Sequence, residues 1–137
     1  TWYNVVMVFD GGGTGNSGRL KLYVNDVNKT LTYTGTIDSS SHSMPSSTFQ
    51  IGRRFTTIDY FGGTIDEFSI WSIALSSSQI TDLYNSGTPG NLAGESGLIS
   101  WYRMGDGDTY PTITDNEGSI NATMVNMSAA DFVEIVP

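Results

Sequence analysis

Acidic side chains are the residues of this chain whose type and spacing best fit chemistry, and that chemistry is the binding of a hard cation. Asp106, Asp108, Asp115 and Asn116 lie close together in a Gly-containing stretch, and Asp10 opens a second, Gly-rich loop. Calcium takes about six to eight oxygen ligands, so these five residues are candidate ligands, with Asp106 and Asp108 the strongest pair. The spacing is not that of an EF-hand. It is equally typical of turn-forming acids on a solvated rim, so both interpretations stay open.

Three aromatic side chains form a second candidate site, because they fall in predicted loops and not in strands. They are Tyr60, Phe61 and Tyr110. An aromatic ring offers a large apolar surface to a sugar ring or to a protein neighbour. We therefore treat the three as candidate contacts for a glycan or a partner. Loop aromatics also fold back onto a core, and the sequence leaves this alternative open.

Other kinds of catalytic and ligand chemistry are excluded by what the chain lacks. It has no cysteine, which excludes disulfides, thiol catalysis and cysteine-bound zinc. The single histidine, His42, lies in a Ser-rich loop without an evident partner, so no Ser-His-Asp arrangement can be argued. The Gly11–Gly13 run lacks the lysine and the following helix of a phosphate-binding loop.

Composition and charge limit the partners. Ser, Thr, Gly and Asn make up 58 of the 137 residues, and 14 acidic residues against 6 basic ones give a formal charge of −8. Nucleic-acid binding needs a basic surface, and anionic membranes attract basic segments. The longest apolar run, Val5–Phe9, is far too short to cross a bilayer. We therefore expect no nucleic-acid partner and no membrane insertion.

Short β-branched runs separated by Gly, Asn and Ser loops predict a mostly β fold. The predicted strands are Trp2–Phe9, Arg19–Asn25, Thr30–Thr36, Thr48–Arg53, Thr64–Trp71 and Leu98–Met104, with weaker ones near Asn121–Met127 and Phe132–Val136. Trp2–Phe9 has the apolar composition of a buried strand. Alternation in Arg19–Asn25 predicts that Leu20, Leu22 and Val24 face inward and that Tyr23 lies on the solvated side.

One helix is predicted, over Ser77–Tyr84. Ser76 is a suitable N-cap and Gln79 completes a capping box. Gly87 follows the helix as a stop signal. Eight predicted strands and only one short helix favour an all-β sandwich.

Several segments together resemble a known family. They read WYNVVMVFDG, LKLYVND, FQIGRR and, most specifically, GGTIDEFSIWSIALSSSQITDLYNSG over Gly62–Gly87. This pattern resembles the laminin-G-like branch of the concanavalin A-like lectin/glucanase superfamily. The resemblance implies an antiparallel two-sheet jelly-roll β-sandwich, with one short helix closing one end. In this family a metal ligand sometimes occupies the position of Asp10.

The chain departs from the family pattern in two ways. Strands that usually precede the opening segment are missing, and residues 98–123 resemble the family's opening strand but follow the helix. Circular permutation, a second repeat and a C-terminal strand filling an open edge each explain this order, and we favour the last. We therefore divide the chain into a sandwich part (1–87), a linker (88–97) and C-terminal strands (98–137) that complete the same sandwich. The tail also resembles structural proteins of marine bacteriophages.

Catalysis is a possibility that the resemblance raises, because the superfamily contains glucanases. A retaining glycosidase needs two carboxylates that face the same side of a cleft. Along the predicted strand, Asp66 shares a face with Thr64 and Phe68, whereas Glu67 points to the other face. We therefore predict that the chain is not an enzyme, and that Asp66 accepts hydrogen bonds from loop backbone.

The function predicted from these observations is a non-catalytic recognition or display module of a larger surface assembly. The assembly would be a phage virion, where the chain would be decoration or fibre material on the virion surface. Its partners would be neighbouring protein subunits and glycans, and calcium is the one candidate cofactor. The alternative is a calcium-assisted carbohydrate-binding module of a secreted bacterial protein, in an extracellular location. A degenerate glucanase is a remote third hypothesis.

Overall fold

A computed structural model describes residues 1–40, 49–53 and 59–133. The backbone of these residues is mostly β with few helices. The elements are β1 (Val5–Phe9), α1 (Gly15–Arg19), β2 (Leu20–Val24), β3 (Val27–Lys29), β4 (Phe68–Trp71), α2 (Ser77–Tyr84), β5 (Leu98–Tyr102), β6 (Thr112–Ile113) and β7 (Ala122–Thr123). Single 3₁₀ turns follow at Asn85–Gly87 and Ala129–Asp131. No helix in these ranges has the length and apolar character to span a bilayer.

The first sheet has the strand order β1-β2-β3, and both pairings are antiparallel. Asn25 and Asp26 join β2 to β3 as a two-residue turn, with φ angles of 50° and 60°. Two successive positive φ angles match the twist of a tight hairpin, and Asn and Asp tolerate them.

One face of this sheet packs against α2 and the segment before it. Val8 of β1 and Tyr23 of β2 are buried together with Leu75 and Ile80. The expectation that Tyr23 lies on the solvated side is therefore wrong, since its side chain is 7% exposed. The period of two in β2 is correct, but the core lies on the opposite face, because a tyrosine ring supplies as much apolar surface as a leucine.

The expectation of a fully buried Trp2–Phe9 strand is also wrong. β1 begins at Val5, and its burial alternates: Val8 is buried, whereas Val5 and Met7 are 62% and 73% exposed. Only one face of the sheet is covered by the described residues.

Helix α2 has the predicted bounds and cap. The Gln79 N–H donates to the Ser76 hydroxyl at 3.3 Å, and the Ser76 N–H donates to the Gln79 side-chain oxygen at 2.9 Å. Ile80 is the fully buried residue of the helix. Asn85 ends it in the left-handed conformation, with φ of 42°.

A second helix, α1, was not predicted, since its Gly- and Ser-rich sequence has low helix propensity. Tertiary hydrogen bonds accompany this turn. The Asn16 side chain donates to the Gly35 carbonyl at 2.7 Å and accepts from the Ile37 N–H at 2.8 Å. These bonds fix the neighbouring 30–40 segment against α1.

The C-terminal part pairs with the middle of the chain. β5 lies antiparallel to β4, with Phe68 opposite Tyr102 and Trp71 opposite Leu98 across a bulge. β6 and β7 form a further antiparallel pair. The division of the chain at residues 87 and 97 stays a prediction.

Several predicted strands are shorter than expected or missing, because no strand among the described residues supplies a ladder for them. Thr30–Thr36 forms no strand, although its Leu31 and Tyr33 are half-buried. Within 49–53, only Arg53 forms a bridge, with Tyr60. The strand expected over Thr64–Trp71 begins at Phe68, and the one near Asn121–Met127 shrinks to β7. Phe132 and Val133 are not in a strand, and residues 134–136 and His42 lie outside the described residues.

Candidate functional site

A shallow groove with a volume of about 610 Å³ lies between the segments 50–53 and 59–68. The Phe61 N–H donates to the Gly52 carbonyl at 2.8 Å, and the Arg53–Tyr60 bridge holds the two segments together. We call this the aromatic groove, and its lining residues combine rings with polar groups: Gln50, Ile51, Gly52, Arg53, Asp59, Tyr60, Phe61, Ile65 and Phe68. Volumes of this order suit small-molecule ligands.

Two of the predicted contact residues present their rings at this groove. Tyr60 is 57% exposed and Phe61 is 61% exposed. The Arg53 guanidinium lies 5.9 Å from the centre of the Tyr60 ring, within cation–π range. Phe68 packs against the Tyr102 ring at a centroid distance of 6.3 Å, which ties the groove to the β4–β5 pair.

Tyr110, the third predicted contact, does not line the aromatic groove. Its hydroxyl donates to the Met127 carbonyl at 3.1 Å, and its residue is 44% exposed. Because the hydroxyl is engaged, Tyr110 presents mainly its ring.

Asp115, a predicted metal ligand, holds together its own loop. Its Oδ1 accepts from the backbone N–H groups of Trp101 at 3.0 Å and Gly118 at 2.9 Å. It also accepts from the Glu117 N–H at 3.3 Å, and the residue is 7% exposed. A side chain at Gly118 would place its Cβ 2.4 Å from Oδ2 of Asp115, so glycine there leaves room for the carboxylate.

Two opposing effects act on the pKa of Asp115. Burial raises it, and the hydrogen bonds from Trp101, Gly118, Ser100 and Glu117 lower it. The hydrogen bonds together outweigh burial, so the pKa lies below its ordinary value of 3.8. Asp115 is therefore charged in the folded protein and is stabilised by backbone dipoles.

The other predicted metal ligands also have protein partners. Asp108 accepts from the N–H groups of Gly105 at 3.0 Å and Thr114 at 2.7 Å, and Asp106 forms an ion pair with Arg103. The remaining two bond locally: Asp10 accepts from the Gly12 N–H, and the Asn116 amide donates to the Thr114 carbonyl. Within residues 1–40, 49–53 and 59–133, no three acidic or histidine side chains converge on a common point that could hold a metal ion. Calcium binding stays a prediction.

Sequence reasoning missed a polar cluster at the start of β4. The indole N–H of Trp101 donates to Glu67 Oε2 at 2.6 Å, and Arg103 contacts Glu67 Oε1 at 3.4 Å. The Arg103 guanidinium also lies 5.4 Å from the Trp101 ring centre. Pairing of β4 with β5 brings these residues together, and no local pattern at Glu67 could have indicated them.

The argument that strand alternation separates Asp66 from Glu67 is wrong, because β4 begins only at Phe68. Glu67 instead adopts a left-handed backbone with φ of 51°, and Asp66 Oδ1 accepts from the Glu67 N–H at 2.9 Å. The expectation that Asp66 bonds loop backbone is confirmed.

The pKa of Asp66 is raised, chiefly by burial and further by the charges of Glu67 and Asp106. A carboxyl with a raised folded pKa disfavours the fold once it ionises. We expect Asp66→Asn to raise the free energy of unfolding at pH 7, because the amide carries no charge to bury. The gain should vanish as the pH falls through the raised pKa to below 3.8. Urea unfolding from pH 3 to pH 7 measures it.

Asp66→Ala is the matched control for this prediction, because it removes the same charge but also the acceptor for the Glu67 N–H. It should be less stable than Asp66→Asn at every pH. A wild-type protein that exceeds Asp66→Asn in stability at pH 7 would contradict the prediction.

Comparison with known proteins places this mostly β chain in a family. A sequence model of the concanavalin A-like lectin/glucanases superfamily, of the laminin-G type, matches residues 1–81. The match covers more than half of the chain, and the chain therefore belongs to this superfamily. Comparisons with curated proteins and with solved structures gave no significant match.

The family predicted from the quoted segments is thus confirmed at the level of the superfamily. The superfamily includes both lectins and glucanases, so membership is compatible with carbohydrate binding. None of the comparisons supports the resemblance of the C-terminal tail to bacteriophage structural proteins, which stays a prediction.

Proposed function

We propose that this chain is a non-catalytic recognition module, built as a two-sheet jelly-roll sandwich, that binds glycans in the aromatic groove. The observation that carries the proposal is the pair of rings at Tyr60 and Phe61, each more than half exposed beside the polar groups of Gln50, Arg53 and Asp59. Rings stack on the apolar face of a sugar, and flanking polar groups bond its hydroxyls.

The non-catalytic part of the proposal is supported by the partners of the nearest carboxylates. Both oxygens of Glu67 are engaged, one by Trp101 of β5 and the other by Arg103, which directly follows that strand. Asp66 accepts from the Glu67 backbone. A glycosidase instead needs one carboxyl group that donates a proton and a second that is free to attack or to activate water.

A glycan array with the wild-type protein and three alanine variants tests the proposal. We expect Tyr60→Ala and Phe61→Ala each to weaken binding about three- to tenfold, the effect of losing one stacked ring. Tyr110→Ala is the matched control, since it removes an exposed loop aromatic outside the groove, and it should bind as the wild type does. Circular dichroism checks that the variants are folded.

The same array with and without a chelator separates the proposal from calcium-assisted binding. Unchanged binding supports recognition by the groove alone, whereas loss of binding in chelator favours the calcium-assisted alternative. An array on which no glycan is retained would overturn the proposal.

A display role in a larger surface assembly, such as a phage virion, is the second candidate. What favours assembly is the apolar face of the first sheet that the described residues leave uncovered, where Val5 and Met7 are mostly exposed. Such a face marks a contact surface more often than a solvated one.

A further inference from the structure

Gly62 and Gly63, the two adjacent glycines before β4, have different surroundings. A Cβ atom built on Gly62 would meet no described atom within 4 Å. A Cβ atom on Gly63 would lie 2.9 Å from Cε1 and 3.2 Å from Cζ of the Phe61 ring. Neither glycine has a positive φ angle, so φ does not require glycine at either position. What requires the absence of a side chain at position 63 is the Phe61 ring.

The Phe61 ring cannot be fixed by hydrogen bonds, because phenylalanine carries no polar side-chain atom. The bond from the Phe61 N–H to the Gly52 carbonyl, at 2.8 Å, holds the backbone but leaves the side chain free to rotate. The residue is 61% exposed, so its ring is not enclosed by a core. A restraint on the ring therefore has to come from packing, and the bare main chain of Gly63 supplies it.

We propose that Gly63 is a positioning residue of the aromatic groove: its missing side chain lets the Phe61 ring lie in the orientation that contacts a glycan. The inference rests on the proposed function and extends it to a residue that does not itself line the groove. A ring that is already held in its bound orientation loses less conformational freedom on binding, which increases affinity. A methyl group at position 63 would displace the ring, because 2.9 Å is well inside the contact distance of about 3.5–4.0 Å between carbon atoms.

Gly63→Ala should change the position of the ring without unfolding the protein. The clash involves Cε1 and Cζ, the outer atoms of an exposed side chain, which can rotate away. Alanine also reduces the conformational entropy of the unfolded chain relative to glycine, and this opposes a loss of stability. The expected change is therefore in glycan binding, whereas the circular dichroism spectrum and the urea midpoint should stay close to those of the wild type.

NMR of protein with isotope-labelled phenylalanine rings measures the ring position without any ligand. The Phe61 ring signals are identified by their loss in Phe61→Leu. We expect Gly63→Ala to shift these signals more than those of any other phenylalanine. Gly62→Ala is the matched control, because its methyl group enters open space beside the same segment, and it should shift them several-fold less. Equal shifts in the two variants, or no shift in Gly63→Ala, would overturn the proposal.

Binding to the glycan array gives the second arm, as a double-mutant cycle. Gly63→Ala should weaken binding about three- to tenfold, as loss of the stacked ring in Phe61→Ala does, and Gly62→Ala should bind as the wild type does. In a Phe61→Ala background Gly63→Ala should cause no further loss, because no ring remains to be displaced.

Two other outcomes of the cycle would count against the proposal. A further loss of the same size in the Phe61→Ala background would mean that Gly63 acts through the loop backbone, and it would overturn the positioning role. An array on which the wild type retains no glycan would overturn the proposed function and, with it, the role of Gly63 in recognition. The NMR signals would then still decide whether Gly63 sets the position of the ring, so the two failures are distinguishable.

Discussion

Asp115→Ala is expected to lower the free energy of unfolding by about 3 kcal/mol. The carboxylate accepts N–H bonds from Trp101, Glu117 and Gly118 in a buried position. Alanine leaves these donors without this partner, and an unsatisfied buried donor such as the Trp101 N–H costs about 1–3 kcal/mol. The loss also weakens the attachment of the 115–120 loop to β5, which then rests on the bonds from the Asn116 N–H to the Trp101 carbonyl and from the Tyr102 hydroxyl to the Ile120 carbonyl. Urea unfolding at pH 7 measures the change.

Asp106→Ala is the matched control, because it removes a carboxylate from the same region that is exposed and ion-paired. Exposed ion pairs contribute less than about 1 kcal/mol, so its effect should be small. A loss at Asp115 no larger than at Asp106 would contradict the prediction.

The pH dependence of Asp115 supplies an independent check. Its lowered pKa means that the ionised form stabilises the fold above its ordinary pKa of 3.8. This stabilisation is lost as the pH falls through the lowered value. The stability difference between the wild type and Asp115→Asn should therefore shrink below pH 3.8.

Ile80→Ala is expected to lower the free energy of unfolding by about 2–5 kcal/mol. Ile80 has no exposed surface and packs with Val8, Tyr23 and Leu75. The variant loses the transfer free energy of the removed methyl groups, and the cavity that remains costs more. Because Ile80 joins α2 to the first sheet, both should unfold at a lower urea concentration.

Asp82→Ala, two residues along the same helix and exposed, controls for the change of helix propensity. Its effect should stay within about 0.5 kcal/mol. If Ile80→Ala were as mild as Asp82→Ala, the packing of α2 on β1 and β2 would be called into question.

Helix α2 could be predicted because its determinants are local: Ser76, Gln79 and the apolar positions lie within nine residues of one another. The strands were harder to predict, because their positions depend on residues that are distant in the sequence. Alternation in β2 indicated the period of two but not the side on which the core lies. Tyr23 was therefore expected on the solvated face, whereas its side chain is buried. Thr30–Thr36 has the composition of a strand, but none of the strands that the structure describes pairs with it. Composition alone does not make a strand, because β-propensity depends on tertiary context.

The candidate site also has a part that the sequence could predict and a part that depends on contacts made only in the fold. Tyr60 and Phe61 could be selected from their type and loop position, but Arg53 joins them only through a bridge between segments. For Asp115 the sequence showed an acid in a turn-rich stretch, which suits a metal ligand or a backbone acceptor equally well. The donor from Trp101, 14 positions earlier, is visible only after folding.

The pairing of β5 with β4 determines which segment of this chain could be grafted into another protein as a folded unit. The family match stops at residue 81, inside α2, and excludes Leu98–Tyr102. A graft cut at that boundary would truncate the helix before Leu83, which packs on the core, and would leave the Phe68–Trp71 strand without its neighbour. A graft that keeps β4 paired therefore has to extend to Tyr102 at least, beyond the residues that the family model matches.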